Sequence, residues 1–286
     1  MNLEEKIKRL LSVSQDIQYK NAINTGDLVF MSRLFTKVTL PHRDPGISRY
    51  TRRNGNVSIS MIDAHERGLP YGIMPRLILI WICTQVVQKK SKRIQLDHHL
   101  ADFMRQLAVI PSGGENGPSQ SLKAQLVKLL SCVLAFDSSS SSIVNLENVV
   151  VANSIRLWKF DDDRGHENVS YIELSDEFFK EVIYKPVPLD MRVVNALRPS
   201  PFAIDIYIWI SYRVSNLKKP QWIPWSGLQS QFGAGYKDNK AGRGNFQRRF
   251  TEYLKMIEVL YPEINYEVYR GRLLLHPSKP HISKIN

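Results

Sequence analysis

The chain has 286 residues, room for two domains of ordinary size. Hydrophobic residues make up 43% of it, enough for packed cores, which excludes a disordered tail protein. A net charge of +12 with a pI near 9.6 favours polyanions: nucleic acid, or an anionic membrane surface.

Leu3, Ile7, Leu10, Leu11 and Ile17 recur at helical spacing and predict a short amphipathic helix within residues 3–23, at a mobile chain end. Met1 to Leu11 is charged, unlike the apolar core of a secretory leader. Residues 31–40 read as a strand or irregular chain. Asn54-Gly55 between Tyr50-Thr51 and Val57–Ile59 predicts a β-hairpin, with Arg43, Arg49, Arg52 and Arg53 along it. Pro75 fits the first turn of a helix running to about Gln88. Its apolar run, Leu77 to Val87, is interrupted by Thr84 and Gln85 and is too short to cross a bilayer. Ile94 and Leu96 suggest a short strand. Asp97 then suits a cap for a helix striped by Leu100, Phe103, Met104 and Leu107. After the turn Pro111–Pro118, Ser119 or Ser121 suits the cap of a helix carrying Leu122 to Val133. Asp137 and five serines read as a loop. Strands are expected over Val144–Phe160 and Val169–Leu174, around the acidic loop Asp161–Asn168. Cys83 and Cys132, far apart and inside apolar helical patterns, read as reduced core residues of a cytoplasmic protein.

Ser175-Asp-Glu opens a connecting helix through Ile183, Pro186-Val-Pro188 breaks it, and a further helix fits Asp190 to Leu197. Beyond Pro199-Ser-Pro201 the earlier pattern returns. A hydrophobic helix covers Phe202–Leu217, a small strand Trp222-Ile223, and a helix Trp225–Phe232. A Gly- and Lys-containing turn spans Gly233–Gly244, followed by a long helix Asn245–Leu260. Strands Tyr266–Val268 and Leu273–Leu275 flank the tight turn Tyr269-Arg-Gly-Arg272. Trp81 in the first copy matches Trp209 in the second. Helix, strand, helix, helix, hairpin is the order of a winged helix. The expected fold is therefore α+β, with two tandem winged-helix domains and an N-terminal helical and hairpin extension. The expected boundaries are 1–65 for the extension, 66–174 for the first winged helix, 175–200 for connecting helices and 201–286 for the second. Trp158, Trp209, Trp222 and Trp225 read as core anchors.

The long helix of the second copy is the best candidate for reading DNA. Phe246, Phe250, Tyr253, Leu254 and Ile257 should face the core. The other face carries Gln247, Arg248, Thr251 and Lys255, with Asn245 at the helix start and Arg243 in the turn just before it. These are the residue types that pair with base edges. The preceding turn adds Lys237 and Lys240, and the hairpin tip adds Arg270 and Arg272, so three adjacent elements share one sign of charge. In the first copy Gln120, Lys123, Gln125 and Lys128 offer a weaker face, which reads equally well as plain solvated surface. Arg49, Arg52 and Arg53 suit phosphate contacts, or are simply surface. No catalytic, metal or cofactor site is expected. Gly113–Gly117 lacks the Lys-Ser/Thr ending of a phosphate-binding loop. Adjacent His98 and His99 point to different sides of the chain, unlike the paired histidines of a nickase, and Asp161–Asp163 reads as a solvated loop tip.

Several short pieces, in order, also resemble the plasmid-encoded RepA replication initiator family. They are Leu40-Pro-His42, Arg53-Asn-Gly55, Gly68-Leu-Pro-Tyr-Gly72, Pro75-Arg76-Leu77, Lys90-Ser91, Phe103-Met104, Gly113-Gly114, Pro186-Val-Pro-Leu-Asp190, Ser200-Pro201, Asp205-Ile-Tyr-Ile-Trp209 and Tyr212-Arg213. They span roughly residues 40–278. The resemblance implies tandem winged helices that bind repeated sites at a plasmid origin, opening of adjacent AT-rich DNA, and recruitment of a host initiator and the replicative helicase. It also implies self-association between monomers and dimers; no membrane partner is expected. A winged-helix transcriptional regulator or autorepressor that never opens DNA is the alternative. Only the helix Asn245–Lys255 inherits a role residue by residue.

Overall fold

The computed structural model describes residues 2–37, 39–55, 57–112, 117–137, 146–157, 170–233 and 235–282. The turn residues 113–116, the serine run, Trp158 and the acidic loop 161–168 lie outside them. The N-terminal third contains α1 (Leu3–Tyr19), α2 (Ala22–Thr25), β1 (Leu28–Met31), α3 (Leu34–Lys37), β2 (Arg49–Asn54), β3 (Val57–Asp63) and α4 (Met74–Lys89). Next come β4 (Arg93–Gln95), α5 (Leu100–Gln106), α6 (Pro118–Ser131), β5 (Cys132–Asp137), β6 (Leu146–Val150), β7 (Ala152–Arg156), β8 (Tyr171–Leu174) and α7 (Asp176–Tyr184). The chain then forms β9 (Val187–Asp190), α8 (Met191–Leu197), α9 (Pro201–Asn216), β10 (Gln221–Pro224), α10 (Trp225–Phe232), α11 (Lys240–Leu260), β11 (Tyr266–Val268) and β12 (Arg272–Leu275). Helices and strands are mixed along the chain, an α+β fold.

These elements divide into two units, one of Met1–Thr39, Arg52–Gly55 and Val187–Asn286, the other of Leu40–Thr51 and Asn56–Pro186. The division cuts across the segment boundaries expected from the sequence. The chain's two ends share one unit, while α7 falls in the other.

The unit holding both chain ends is built around α9. Its residues Phe202–Ile210 are buried on every side, except that Asp205 adds a polar group; a helix apolar all round belongs in a core. Ser200 caps it by accepting from Ala203 N at 3.2 Å, with Pro201 at the start, where no N–H is missed. The N-terminal segment is clasped onto this unit at several points. Leu10 and Ile17 of α1 are buried, and Ser14 Oγ donates to Val259 O of α11 at 2.5 Å. Arg192 donates to Asp16 O at 3.0 Å and Lys20 O at 2.7 Å, satisfying carbonyls at the end of α1. β1 pairs antiparallel with β9, and Gln231 Nε2 donates to Thr36 O at 2.5 Å. The expected short, mobile helix is thus a fixed helix of 17 residues.

The other unit is built around α4, of the same 16-residue length as α9. Arg76 is buried at its base, and its guanidinium donates to Leu40 O at 2.8 Å and Gly72 O at 2.5 Å. A buried charge is tolerated when carbonyls satisfy it in this way. Three expectations fail in this unit. α6 stops at Ser131, and Cys132–Asp137 form strand β5 rather than continuing the helix. β5 pairs with β3 and β6 in a sheet ordered β2-β3-β5-β6, so strand pairing overrides the helical periodicity. The expected strand Val144–Phe160 is split at buried Val151: β6 joins that sheet, whereas β7 joins a second one ordered β4-β8-β7. The helix caps also differ. His99, not Asp97, precedes α5, because Asp97 accepts instead from Gln106 Nε2 at 2.6 Å; Gly117, not a serine, precedes α6.

Each unit contains the succession of central helix, short strand, short helix and long helix. Each also contains a three-stranded antiparallel sheet in which the short strand pairs with the last one: β4-β8-β7 and β10-β12-β11.

Candidate nucleic-acid interface

α11 begins at Lys240, five residues before the start expected at Asn245, so Lys240 and Arg243 are helical rather than part of a turn. Two features override the low helix propensity of Gly242 and Gly244. Asn239 caps the helix by accepting from Gly242 N at 2.8 Å. Gly242 also packs directly against the preceding turn: a Cβ there would lie 2.0 Å from Lys237 O. Glycine is thus required for the close approach of the two backbone segments.

The apolar face of α11 is anchored in an aromatic cluster. Phe250 meets Trp209 at 6.0 Å, Trp225 at 5.8 Å and Phe232 at 5.6 Å, and Phe246 stacks on Phe202 at 5.9 Å. Such ring contacts fix both depth and rotation of the helix. Gly242, Phe246, Phe250, Tyr253, Leu254 and Ile257 are buried. Lys240, Arg243, Asn245, Arg248 and Lys255 are exposed, while Gln247 and Thr251 are half-buried. Lys240, Arg243, Gln247, Thr251 and Lys255 follow one another at intervals of three or four residues and share a helix face. The hydroxyl of Thr251 is enclosed without a hydrogen-bond partner among the described residues.

From Lys237 to Lys255 the sequence holds six cations, Lys237, Lys240, Arg243, Arg248, Arg249 and Lys255, against two carboxylates, Asp238 and Glu252. Both carboxylates are engaged. Arg243 pairs with Asp238 at 3.1 Å, and Arg248 and Arg249 each reach Glu252 at 3.0 Å. Arg249, missed in the sequence reading, also lies 4.8 Å over the Tyr253 ring. Its adjacency to Arg248 was the available signal, masked by its place beside the apolar stripe. Arg248 and Arg249 line an open cleft of about 610 Å³ at the start of α11, together with Lys237, Asn239 and Asn245. The helix macrodipole adds partial positive charge there.

The hairpin of β11 and β12 belongs to the same unit. Arg270 and Arg272 at its tip are exposed. The tip is tied to the helices: Tyr269 O accepts from Trp225 Nε1 at 2.9 Å and from Gln247 Nε2 at 3.4 Å. Gln247 therefore bridges α11 to the hairpin. Trp209 and Trp225 are buried as expected, but Trp222 is 43% exposed on the sheet, so its expected core role is corrected. Its strand lies at the sheet edge, and alternation turns its ring away from the buried Ile223 side.

The remaining candidates lie apart along the chain. Gln120 is exposed and Lys123 half-exposed on α6, beside an open cleft of about 550 Å³ that Arg67 and Lys128 also line. Arg49 is exposed on β2 and its guanidinium sits 3.4 Å from Ser60 Oγ. Arg53 is exposed and Arg52 partly enclosed; the two are grouped with the unit that contains α11. His98 and His99 are both exposed.

In comparisons with known proteins, the solved structure of domains 2 and 3 of RctB, as selenomethionine derivatives, matches with a TM-score of 0.52 at 10% identity. The match covers 88% of this chain and 97% of that one. A second structure of RctB domains 2–3 matches with the same TM-score at 9% identity, over 85% and 94% of the two chains. At such identity the likeness is one of fold. No curated protein matches the chain in sequence. The family described as plasmid encoded RepA protein matches residues 69–226, more than half of the chain. The chain belongs to this family of plasmid replication initiators.

Proposed function

We propose that this protein starts replication of a plasmid by gripping repeated sequences at its origin through two tandem winged helices. It then promotes opening of the adjacent duplex and recruits the host initiator and replicative helicase. It acts in the cytoplasm as a non-enzymatic assembly, without a cofactor, and self-association brings several copies to the origin. The carrying observation is that the cationic α11 and the arginine-tipped hairpin occupy one unit, joined through Gln247 and Tyr269 O. Family membership supports the same reading.

In this reading α11 is the recognition helix and the β11–β12 hairpin the wing. Lys240, Arg243, Arg270 and Arg272 supply phosphate contacts, so affinity falls steeply with salt. Asn245 and Arg248 present their polar groups to base edges. Gln247 and Thr251 contribute less directly, one being bonded to the wing and the other half-buried. The matching strand order of β4-β8-β7 and β10-β12-β11 favours a second winged helix around α4, with Gln120 and Lys123 on its long helix and Arg49, Arg52 and Arg53 adding phosphate contacts. Permanganate footprinting on a supercoiled plasmid carrying the origin tests the opening step. Reactive thymines beside the bound repeats are expected. Bound repeats with no reactive thymine would leave only a transcriptional regulator.

A further inference from the structure

The cations of the α11 unit are held in two different ways. Arg243, Arg248 and Arg249 face carboxylates. Arg272 faces a ring instead: its guanidinium carbon lies 3.7 Å from the centroid of Trp222. Among the described residues no carboxylate forms an ion pair with it. The Tyr269 ring meets Trp222 edge-on at 5.1 Å. The register pairs Trp222 with Leu274 and Pro224 with Arg272, so Trp222 and Arg272 project from the same sheet face. That face is opposite to Ile223 and Leu273, which are buried. A tryptophan left 43% exposed on an outer face while covered by an arginine calls for an explanation beyond core packing.

The backbone beneath the stack is fixed. Tyr269 N donates to Arg272 O at 3.0 Å, closing the turn, and the Tyr269 hydroxyl donates to Glu267 at 2.6 Å. Glu267 faces His276 at 2.9 Å on its other oxygen. A guanidinium stacked on a ring keeps its in-plane N–H edge free, and that edge binds a phosphate through two hydrogen bonds. Stacking also removes rotamer freedom before the ligand arrives, so less is lost on binding.

We infer that Trp222 is a positioning residue that holds Arg272 ready to take a backbone phosphate of duplex DNA. The inference rests on the proposed DNA-binding function and adds a residue to it. Among the described residues no ring lies beneath Arg270, on the same tip, and it serves as a looser charge.

The test is a set of binding titrations of the full chain against a mixed-sequence duplex over a range of salt, since a phosphate contact does not depend on sequence. Arg272→Ala should weaken binding and reduce the log–log salt slope by about 1. Trp222→Leu should weaken binding roughly two- to fivefold, the scale of one exposed cation–π contact. Trp222→Phe, which keeps a ring under the guanidinium, should restore most of it. The double variant Trp222→Leu with Arg272→Ala should bind no worse than Arg272→Ala alone. Thermal unfolding of each variant checks that the fold is kept. A double variant weakened by the full product of the two single effects would overturn the inference, as would Trp222→Leu binding like the parent. Failure of the parent chain to bind duplex at low salt would instead remove the DNA-binding function, and this inference with it.

Discussion

Glu252 reaches both Arg248 and Arg249 and therefore restrains two guanidinium groups that line the cleft. Both pairs are partly exposed, so each contributes little to stability, within about 1 kcal/mol. Their effect on DNA is larger, because a carboxylate beside phosphate repels it. Glu252→Gln should tighten binding to non-specific duplex and steepen its salt dependence; unchanged titrations would show that Glu252 lies away from the bound backbone. Arg248→Ala should reduce specific binding by about 1–3 kcal/mol, with equal affinity of variant and parent ruling out a base contact. His281 tests the other side of the unit. Its Nδ1 sits 2.8 Å from the Tyr207 hydroxyl, which accepts from Asp190 N at 3.0 Å, and its ring stacks on Tyr261 at 4.5 Å. Burial holds the imidazole below its usual range, against the nearby Asp190 and Glu263 carboxylates. A depressed histidine favours its neutral form in the fold. Its contribution is complete above the unfolded value of about 6.5 and is lost as pH falls through the folded value. The melting temperature should therefore fall on acidification from neutral pH, and His281→Phe should flatten that fall; identical pH profiles would contradict this origin for it.

The elements legible in the sequence are those whose apolar spacing and punctuation agree. α10 and β11 match the expected ranges, and Ser175 caps α7 where the sequence opens that helix; α8 starts one residue later than expected, with Asp190 as its cap. Several of the pieces that carried the family resemblance prove to be punctuation of this kind. Leu40, Gly72 and Arg76 form one buried clasp, and Ser200-Pro201 starts α9. What stayed hidden depends on partners distant in sequence. Residues 132–137 open with a short apolar run that a buried helix or a strand can use equally, and pairing with β3 and β6 decides for the strand. The start of α11 was hidden because two glycines ordinarily argue for a turn, whereas Gly242 is there to admit the Lys237 carbonyl. Gly242→Ala should therefore cost about 1–3 kcal/mol, measured by urea denaturation, because the close backbone cannot yield as a flexible side chain would. An unchanged denaturation midpoint would mean that the turn relaxes freely. The polar face of α11 was legible as a pattern. The ring under Arg272 was not, because strand register decides which side of β10 Trp222 occupies.

At the scale of the whole molecule, the unit bearing α11 is assembled from both ends of the chain. β9 has its antiparallel partner in β1, α11 is braced by Ser14 of α1, and α10 is fastened through Gln231 to Thr36 and Thr39. Deleting residues 2–39 removes all three supports at once. The remaining chain should lose slow amide exchange in α11, and with it DNA binding. Retained protection would show that residues 187–282 fold without the N-terminal segment. The central claim is specific recognition of origin repeats by this unit. It is tested most directly by titrating the full chain against DNA carrying the repeats beside its own gene, and against a scrambled duplex, at two salt concentrations. Tight binding to the repeats that persists at the higher salt, with the scrambled duplex released, is the predicted result. Equal and equally salt-sensitive binding to both would contradict it, reducing α11 and its hairpin to a basic surface that coats DNA without reading it.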